Sequence, residues 1–252
     1  MIKKAIILVA GMGTRLKPLT LNNHKCLTKV NDKPILHNAL ECLKMVGVSE
    51  ALLVVGYLAD KIRDDIGDEF HGLKIRYAEN NGYAATNTSC SLNIGLENIS
   101  GYDSLFVLEG DVFFSPGLLK RIDDCEAANV TLLEKYQPNL DGSFVEIDDN
   151  GYVTDWIHKS MRESGFTIED KYKTINIHKF DSEFAAKTLK AYVQKLCDME
   201  DGKAPLESAM RELVRDFPQA VYGLESAGMK WFEIDDESDL KIAEEIFGGQ
   251  GE

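Results

Sequence analysis

The sequence predicts an α/β fold with a mostly parallel sheet flanked by helices, followed by a mixed second half of strands and helices. Through the first half of the chain, short apolar runs alternate with segments of helical periodicity. Such alternation is typical of parallel strands joined by helical crossovers. The chain has 252 residues and is 44% apolar, which is enough to bury a sizeable core.

The first half contains four predicted strands. Apolar runs predict them near residues 6–10, 51–55, 73–77 and 105–108, and helical spacing predicts helices at 34–46, 59–66 and 88–97. Pro34 suits the first turn of the first helix because its missing N–H is not needed there. The order of these elements predicts parallel strands with helices on both faces of the sheet.

The second half has a different rhythm. Strands are predicted at 130–133, 143–147, 152–158 and 173–180, with a hairpin turn at 149–151. Helices are predicted at 182–198 and 206–217, then a strand at 231–234 and a helix at 237–247. We therefore expect a single domain over 1–247, with halves of about 1–128 and 129–247, and a flexible tail at 248–252.

Composition excludes several classes of protein. The net charge of -14 argues against a general nucleic-acid binder, and no apolar run is long enough to span a membrane. The N-terminus lacks the long apolar core and cleavage site of a signal peptide. We expect a cytoplasmic protein with reduced thiols rather than a disulfide framework or a zinc site, because the cysteines are odd in number and scattered: Cys26, Cys42, Cys90, Cys125 and Cys197.

A glycine turn followed by cations stands at the end of the first predicted strand. Without side chains, Gly11 and Gly13 let backbone amides approach phosphate oxygens, to which Arg15 can form paired hydrogen bonds. Residues 11–33 carry a single acid, Asp32, against the bases Arg15, Lys17, Lys25, Lys29 and Lys33. We therefore expect a site for a small polyanion such as a nucleotide triphosphate.

Other interpretations of this turn stay open. The dinucleotide-binding fingerprint needs a third glycine where Leu16 stands, and the P-loop needs a closing Gly-Lys-Ser/Thr that is absent here, so both fit poorly. A purely structural turn or a solvated basic loop remains an alternative.

A carboxylate follows the fourth predicted strand, which ends at Gly110-Asp111. Ligands in open α/β sheets bind beyond the carboxyl ends of strands, and Mg²⁺ prefers one or two protein carboxylates together with phosphate oxygens. Asp111 is therefore a candidate magnesium ligand. An aspartate that caps a helix or closes a turn would give the same pattern.

The glycine turn resembles the signature of the nucleotidyltransferases that make nucleotide sugars and related compounds, Gly-x-Gly-Thr/Ser-Arg-Leu-x-Pro-Leu/Met-Thr followed by Pro-Lys. In this chain His24 stands where that family has the proline. Residues 231–240 are similar to a late family segment, Trp-x-Asp/Glu-Ile-Asp-x-x-x-Asp-Leu. The resemblance implies the nucleotide-diphospho-sugar transferase fold and a Mg²⁺ ion held by Asp111 and Asp235. The neighbouring Asp236 could substitute for Asp235 or cap a helix.

A further segment distinguishes branches of the family. Residues 80–92 resemble the Asn-x-x-Tyr-Ala-x-x-Asn-x-x-x-Ser-Leu stretch of bacterial CTP:phosphocholine cytidylyltransferases and lack the Gln- and Gly-rich loop of the sugar enzymes. Residues 172–177 look more like the 2-aminoethylphosphonate branch. The resemblance implies nucleotide binding by Leu8, Ala10, Gly11, Met12, Gly13, Thr14, Asn80, Ala84 and Gly110. It implies acceptor binding by Tyr83, Asn87 and Lys173.

The implied reaction moves CMP from CTP to a small zwitterionic acceptor and releases pyrophosphate. Arg15 would contact the departing phosphates, and Lys25 the α-phosphate and the acceptor anion. No general base is needed, because the acceptor oxygen is already ionised. The nucleotide would bind to the first half and the acceptor to the second. The expected partners are CTP and the acceptor, without nucleic acid or membrane, and a homo-oligomer or a fusion to another enzyme domain stays open.

The identity of the acceptor is a separate prediction. Choline would require an aromatic cage, for which the chain offers Tyr83, Tyr136, Trp156 and Trp231. A primary ammonium would require carboxylates, for which it offers Glu109, Glu134, Glu146 and Asp148. We favour 2-aminoethylphosphonate. The alternatives are phosphocholine, then a sugar 1-phosphate, then a nucleotide-sensing domain without catalysis.

Overall fold

The fold is built around a twisted central sheet, seen here in a computed structural model that describes residues 1–138, 140–199 and 201–248. Its strands are β1 (Lys3–Val9), β2 (Lys29–Val30), β3 (Lys33–Pro34), β4 (Val48–Val55), β5 (Glu69–Phe70), β6 (Leu73–Glu79), β7 (Ser104–Glu109), β8 (Val112–Phe114), β9 (Val130–Lys135), β10 (Phe144–Ile147), β11 (Val153–Ile157), β12 (Tyr172–Asp181), β13 (Tyr222–Glu225) and β14 (Trp231–Glu233). The helices are α1 (Ile35–Met45), α2 (Ala59–Ile66), α3 (Thr88–Asn98), α4 (Pro116–Asp124), α5 (Lys190–Met199), α6 (Leu206–Asp216) and α7 (Glu237–Phe247).

The sheet confirms the predicted fold class. Its strand order is β11-β10-β12-β7-β1-β4-β6-β5, with β9 and β13 attached beside β12. The four strands β7, β1, β4 and β6 run parallel, whereas β12 runs antiparallel to β7 and brings the second half onto the same sheet. After β1 the chain adds β4 on one side of β1, and it later adds β7 on the other side. The change of side opens a crevice at the carboxyl ends of β1 and β7.

Both faces of the sheet are covered, so the central strands are apolar along their whole length. Successive side chains of a strand point to opposite faces, and accordingly Ile7 and Val9 of β1 join one buried cluster while Ile6 and Leu8 join the other. This double burial explains why the strands are visible in the sequence as continuous apolar runs.

The structure contains elements that the sequence analysis did not predict, namely the nine-residue helix α4, the strand β13 and several very short strands. The strands β2, β3, β5 and β8 have two or three residues each, which is too short for a periodic signal. The predicted helix over 182–198 is partly π-helical, over Phe184–Leu189, before α5 begins. Of the predicted tail, Gly248 caps α7, and residues 249–252 lie outside the described part of the chain. Within that part, no helix is both long and apolar enough to cross a membrane.

The prediction that all cysteines are reduced is wrong. A disulfide joins Cys90 of α3 to Cys197 of α5, while Cys26, Cys42 and Cys125 are free thiols. The bond lies next to the loop between α5 and α6, where the Asn87 N–H donates to the carbonyl of Gly202 at 2.7 Å. The two cysteines are 107 positions apart. No pattern of spacing in the sequence could therefore pair them.

Reduction of this disulfide is expected to lower the free energy of unfolding by about 2–4 kcal/mol, because the cross-link restricts a long loop of the unfolded chain. Urea unfolding with and without dithiothreitol measures the difference. The control is the Cys90→Ser/Cys197→Ser double variant, whose stability should not respond to the reductant. Thiol titration of the unfolded protein should find the three free cysteines before reduction and all five after it. Five reactive thiols in unreduced protein would contradict the bond.

Candidate active site

The glycine turn follows β1 directly and faces the crevice between β1 and β7. Gly13 has a left-handed φ of 55°, and a Cβ there would lie 2.8 Å from Cβ of Lys25. The Thr20 hydroxyl donates to the Gly13 carbonyl at 2.9 Å, which fastens the turn to the segment ahead of Lys25. Glycine is required at this position both by the backbone conformation and by the close approach of Lys25.

Gly110, between β7 and β8, is a second glycine that a neighbouring side chain approaches closely. A Cβ on Gly110 would lie 2.3 Å from Cγ1 of Val9, at the end of β1. A larger residue would therefore push β1 and β7 apart at the mouth of the crevice. The strand end also brings Asp111 beside the glycine turn.

The antiparallel pair of β8 and β14 brings the late acidic segment to the same place. Trp231 pairs with Phe114 and Glu233 with Val112, and the Ile234 N–H donates to the Asp111 carbonyl at 2.9 Å. This pairing carries Asp235 to the side of Asp111, although the two residues lie far apart in the sequence.

Lys25 lies between these two carboxylates. Its Nζ donates to Oδ2 of Asp111 at 2.8 Å and to Oδ1 of Asp235 at 2.9 Å. Arg15 donates to the same oxygen of Asp235 at 2.8 Å, and its side chain is 61% exposed. Lys25 is therefore held in place, whereas Arg15 is free to turn toward a bound anion.

The charges of this cluster stabilise one another. Burial alone would lower the pKa of Lys25, but Asp111 and Asp235 outweigh it and raise that pKa above its ordinary value. Burial alone would raise the pKa of Asp235, but the Lys25 ammonium holds it below its ordinary value. Both partners therefore stay ionised at neutral pH.

The carboxylates fit a divalent cation. Oδ1 of Asp111 is buried without a hydrogen-bond partner, and oxygens of Asp111, Glu233 and Asp235 all lie within 4.8 Å of one another. A hard oxygen donor set of this kind, beside a pocket for phosphates, suits Mg²⁺. Asp236 does not join it. Its side chain accepts from the Ser238 and Asp239 amides and caps α7.

The crevice holds a cavity of about 320 Å³, which is within the size range of small-molecule sites. Most of the residues expected to bind the nucleotide line it, namely Leu8, Ala10, Gly11, Gly13, Thr14, Asn80 and Gly110. The expected catalytic residues Arg15 and Lys25 and the expected metal ligands Asp111 and Asp235 line it as well. Tyr83 and Asn87, which were expected to bind the acceptor, line this same cavity. Met12 and Ala84 are not among the lining residues. The sequence reasoning missed His24, Thr86, Thr88 and Ser91, which also line it.

Two asparagines that line the cavity use their side chains in hydrogen bonds to other protein groups. The Asn80 amide donates to the hydroxyls of Thr86 and Ser91, and its oxygen accepts from the Gly82 N–H. The Asn87 side chain caps α3 through the Thr88 N–H and donates to the Lys203 carbonyl. Their side chains therefore shape the loop over residues 80–87, and the loop backbone is left to face a ligand.

An adjoining cavity of about 200 Å³ is acidic. The residues that line it include the carboxylates Glu109, Glu207 and Glu233 together with Asn176 and Lys159. Burial first, and then the neighbouring charges of Asp111, Glu207 and Glu233, raise the pKa of Glu109 well above its ordinary value. A positively charged group entering this cavity would relieve the repulsion between the carboxylates.

Lys173 also lines this cavity, but its ammonium is already paired. It donates to Glu233 at 2.8 Å and to the Thr174 carbonyl at 2.7 Å, and its side chain is 3% exposed. It therefore orients Glu233. No local pattern pointed to Glu207, since α6 reaches the cavity only through tertiary packing. Glu233 stands next to the Ile234-Asp235 motif and could have been found there.

The aromatic residues considered for a choline cage are dispersed. Trp156 is buried in the core beside His178, Trp231 donates its Nε1–H to Glu134 at 3.2 Å, and Tyr136 packs on Phe144. Tyr83 lines the larger cavity instead. Within the described ranges, which omit residues 139, 200 and 249–252, these four aromatics form no common cage.

The chain is similar to known nucleotidyltransferases over most of its length. The nucleotidyl transferase family profile matches residues 4–234. A CMP-5'-(3-aminopropyl)phosphonate synthase from Streptomyces rubellomurinus is 29% identical over 96% of this chain, which spans 38% of that relative. The choline-phosphate cytidylyltransferase of Streptococcus pneumoniae is 34% identical over 46% of this chain and 48% of the relative. The chain thus spans well under half the length of the Streptomyces relative, whereas the alignment with the Streptococcus relative covers about half of each protein.

A solved structure extends the likeness to the whole fold. The CTP:phosphocholine cytidylyltransferase from Streptococcus pneumoniae superposes with a TM-score of 0.74 at 25% identity, covering 98% of this chain and 99% of that one. The glycine turn and Asp111 fall inside the family match over residues 4–234, and Asp235 stands directly after its end.

Proposed function

The chain belongs to the nucleotidyl transferase family, and we propose that it is a cytidylyltransferase that transfers CMP from CTP to a small aminoalkyl phosphonate or phosphate. The observation that carries the proposal is the Lys25–Asp111–Asp235 cluster between a cavity suited to a nucleotide and an acidic cavity suited to an ammonium. The relatives named for CMP transfer to an aminopropylphosphonate and to choline phosphate support this reaction class.

The chemistry requires two anions to meet. An oxygen of the acceptor forms a bond to the α-phosphorus of CTP, the bond from that phosphorus to the bridging oxygen breaks, and pyrophosphate leaves with the electron pair. No proton has to be removed, because the acceptor oxygen is ionised near neutral pH. The protein therefore acts chiefly by positioning the reactants and by placing cations against the charge that develops.

The residues of the cluster divide this work. Lys25 is held rigidly by two carboxylates and faces the α-phosphate and the acceptor anion, whereas the exposed Arg15 turns from Asp235 to the departing phosphates. The backbone of the glycine turn contacts the triphosphate. Asp111 and Asp235 would hold Mg²⁺, with Glu233 beside them, and a bound Mg²⁺ would supply further neutralisation of phosphate charge.

The acidic cavity favours 2-aminoethylphosphonate as the acceptor. A primary ammonium donates strong hydrogen bonds to carboxylates, and Glu109, Glu207 and Glu233 line the cavity together with the amide of Asn176. A quaternary ammonium donates no such bonds and is bound best by aromatic faces. Lys159 lines the same cavity and is suited to the acceptor's anionic end. Phosphocholine and a sugar 1-phosphate are the competing acceptors.

Location and assembly stay predictions. A cytoplasmic location was expected from the composition, but the Cys90–Cys197 disulfide is more typical of oxidising compartments. We likewise propose, from the sequence, a division of the domain into halves of about 1–128 and 129–247. Assembly into a homo-oligomer and fusion to another enzyme domain stay open.

The test is pyrophosphate release with CTP and Mg²⁺ on 2-aminoethylphosphonate, phosphoethanolamine, phosphocholine and glucose 1-phosphate. We expect the highest kcat/KM with 2-aminoethylphosphonate. Glu207→Gln should lower kcat/KM for the primary-ammonium acceptors by about tenfold, the scale of one charge-assisted hydrogen bond, and leave the KM for CTP unchanged. The matched control is Glu212→Gln on the outer face of α6, where Glu212 pairs with Lys195.

The other outcomes separate the alternatives. A preference for phosphocholine that survives Glu207→Gln would overturn the ammonium–carboxylate assignment but keep the cytidylyltransferase. Turnover of glucose 1-phosphate alone would indicate a sugar nucleotidyltransferase. Nucleotide binding without any pyrophosphate release would indicate a sensing domain.

A further inference from the structure

His24 lies directly before Lys25, under the glycine turn, and is 2% exposed. Its Nδ1 accepts the N–H of Cys26 at 3.1 Å and so caps the short turn Lys25–Leu27. Burial, opposed in part by the Gly11 backbone and aided by Lys25, lowers the pKa of His24 to about 4. The ring is therefore neutral near pH 7. Because Nδ1 accepts a hydrogen bond, the proton of the neutral ring is on Nε2.

That Nε2–H is a buried donor without an acceptor. Among residues 1–138, 140–199 and 201–248, Nε2 finds no hydrogen-bond partner, although His24 lines the cavity at the carboxyl ends of β1 and β7. A buried polar group of this kind costs free energy until it is paired. The Gly11 backbone acts on the imidazole in the direction that raises its pKa, as a carbonyl facing the ring N–H does, which makes the Gly11 carbonyl the candidate acceptor.

The backbone at Gly11 is open toward the cavity. Gly11 lines the cavity, and around the position of an added Cβ on Gly11 there is no atom within 4 Å, so space is left beside the turn for a ligand. In a trans peptide the carbonyl and the next N–H point in opposite directions. A Gly11 carbonyl that turns inward to His24 therefore directs the Met12 N–H outward, toward a ligand in the cavity.

We propose that His24 is a positioning residue for the triphosphate. Its Nε2–H donates to the Gly11 carbonyl in the nucleotide-bound turn, and this orients the Met12 amide toward a phosphate oxygen. The inference rests on the proposed function, since it presumes that the glycine turn binds nucleotide phosphates. It also gives a role to the position at which this chain departs from the family signature, since the proline found there in the family has no side-chain donor.

Two substitutions of His24 separate its role as a hydrogen-bond donor through Nε2–H from its role as the Nδ1 acceptor that caps the turn Lys25–Leu27. His24→Gln places an amide NH₂ near the position of Nε2 but loses the short-range acceptor for the Cys26 N–H. His24→Asn keeps that acceptor near the position of Nδ1 but does not reach Gly11. The measurements are the Kd of CTP by calorimetry with Mg²⁺ and without acceptor, the Kd of inorganic tripolyphosphate, and the melting temperature.

We expect His24→Asn to weaken both CTP and tripolyphosphate by about tenfold, the value of one well-formed hydrogen bond, with an unchanged melting temperature. His24→Gln should bind both as the wild type does, even where the lost cap lowers its melting temperature. Wild-type affinity in His24→Asn, or equal weakening in both variants, would overturn the proposal.

Failure of the proposed function gives a different pattern. If the wild type binds UTP, GTP or dTTP but not CTP, the cytidine assignment fails, and the same comparison with the bound nucleotide still decides the role of His24. If the wild type binds none of these nucleotides and no tripolyphosphate, both proposals are overturned.

Discussion

Lys25→Ala is expected to lower kcat for CMP transfer by about 10²-fold or more, the scale for loss of one preorganised donor to the transition state. Lys25 is held firmly between two carboxylates of the site, with Nζ at 2.8 Å from Asp111 and 2.9 Å from Asp235. In the proposed reaction its charge would face the point where negative charge accumulates as the two anions meet. The loss should therefore be larger in kcat than in the KM for CTP.

The experiment has to separate catalysis from folding. Removing Lys25 leaves Asp111 and Asp235 facing each other, and uncompensated charges in a partly buried site destabilise a protein. Kinetics should thus be measured at saturating Mg²⁺ on protein whose circular dichroism matches the wild type, with Lys25→Met as a variant that keeps the length of the side chain. The exposed Lys44→Ala on α1 is the control for loss of a positive charge. Wild-type turnover in Lys25→Ala would remove Lys25 from the mechanism.

Asp111→Asn is expected to lower turnover by about 10²–10³-fold and to abolish its response to Mg²⁺. Oδ1 of Asp111 is buried and has no protein partner, so it is available to a metal ion. Asparagine has nearly the same shape but replaces one oxygen ligand by an NH₂ group and removes the charge. Asp235→Asn should have a similar effect, because Asp235 completes the cluster with Asp111 and Glu233.

Asp236→Asn is the matched control for both variants. Asp236 is adjacent in sequence but caps α7, and asparagine caps helices about as well as aspartate, so stability and turnover should both stay near those of the wild type. Turnover is measured across a series of Mg²⁺ concentrations, and Mn²⁺ binding by paramagnetic resonance gives a reading that is independent of activity. Loss of Mn²⁺ binding in Asp236→Asn but not in Asp235→Asn would reverse the assignment of the two residues.

The helices and central strands were predictable because their signals are local. A strand buried on both faces is apolar throughout, and an amphipathic helix repeats every 3.6 residues, so β1, β4, β7, α1 and α7 are visible within short windows. The glycine turn is local as well. Its φ at Gly13 and its closeness to Lys25 both demand glycine, and the sequence shows it.

The acidic half of the site depends on contacts that are remote in sequence. The three-residue strand β8 carries no periodic signal, and nothing local shows that it pairs with β14, yet this pairing is what brings Asp235 and Glu233 to Asp111. The family resemblance pointed to Asp235, but the residues alone could not distinguish it from Asp236. The structure separates the two, because Asp236 uses its carboxylate to cap α7.

By itself, therefore, the sequence determined the α/β class, the order of the main strands and helices, the glycine turn and the strand-end carboxylate of Asp111. Each of these is encoded in neighbouring residues. The tertiary structure alone decided the Cys90–Cys197 disulfide, the placement of Lys25 between two carboxylates, and the arrival of Glu207 in the acidic cavity. Each of these joins side chains from distant parts of the chain, and only the packing of the sheet and its helices sets the distances between them.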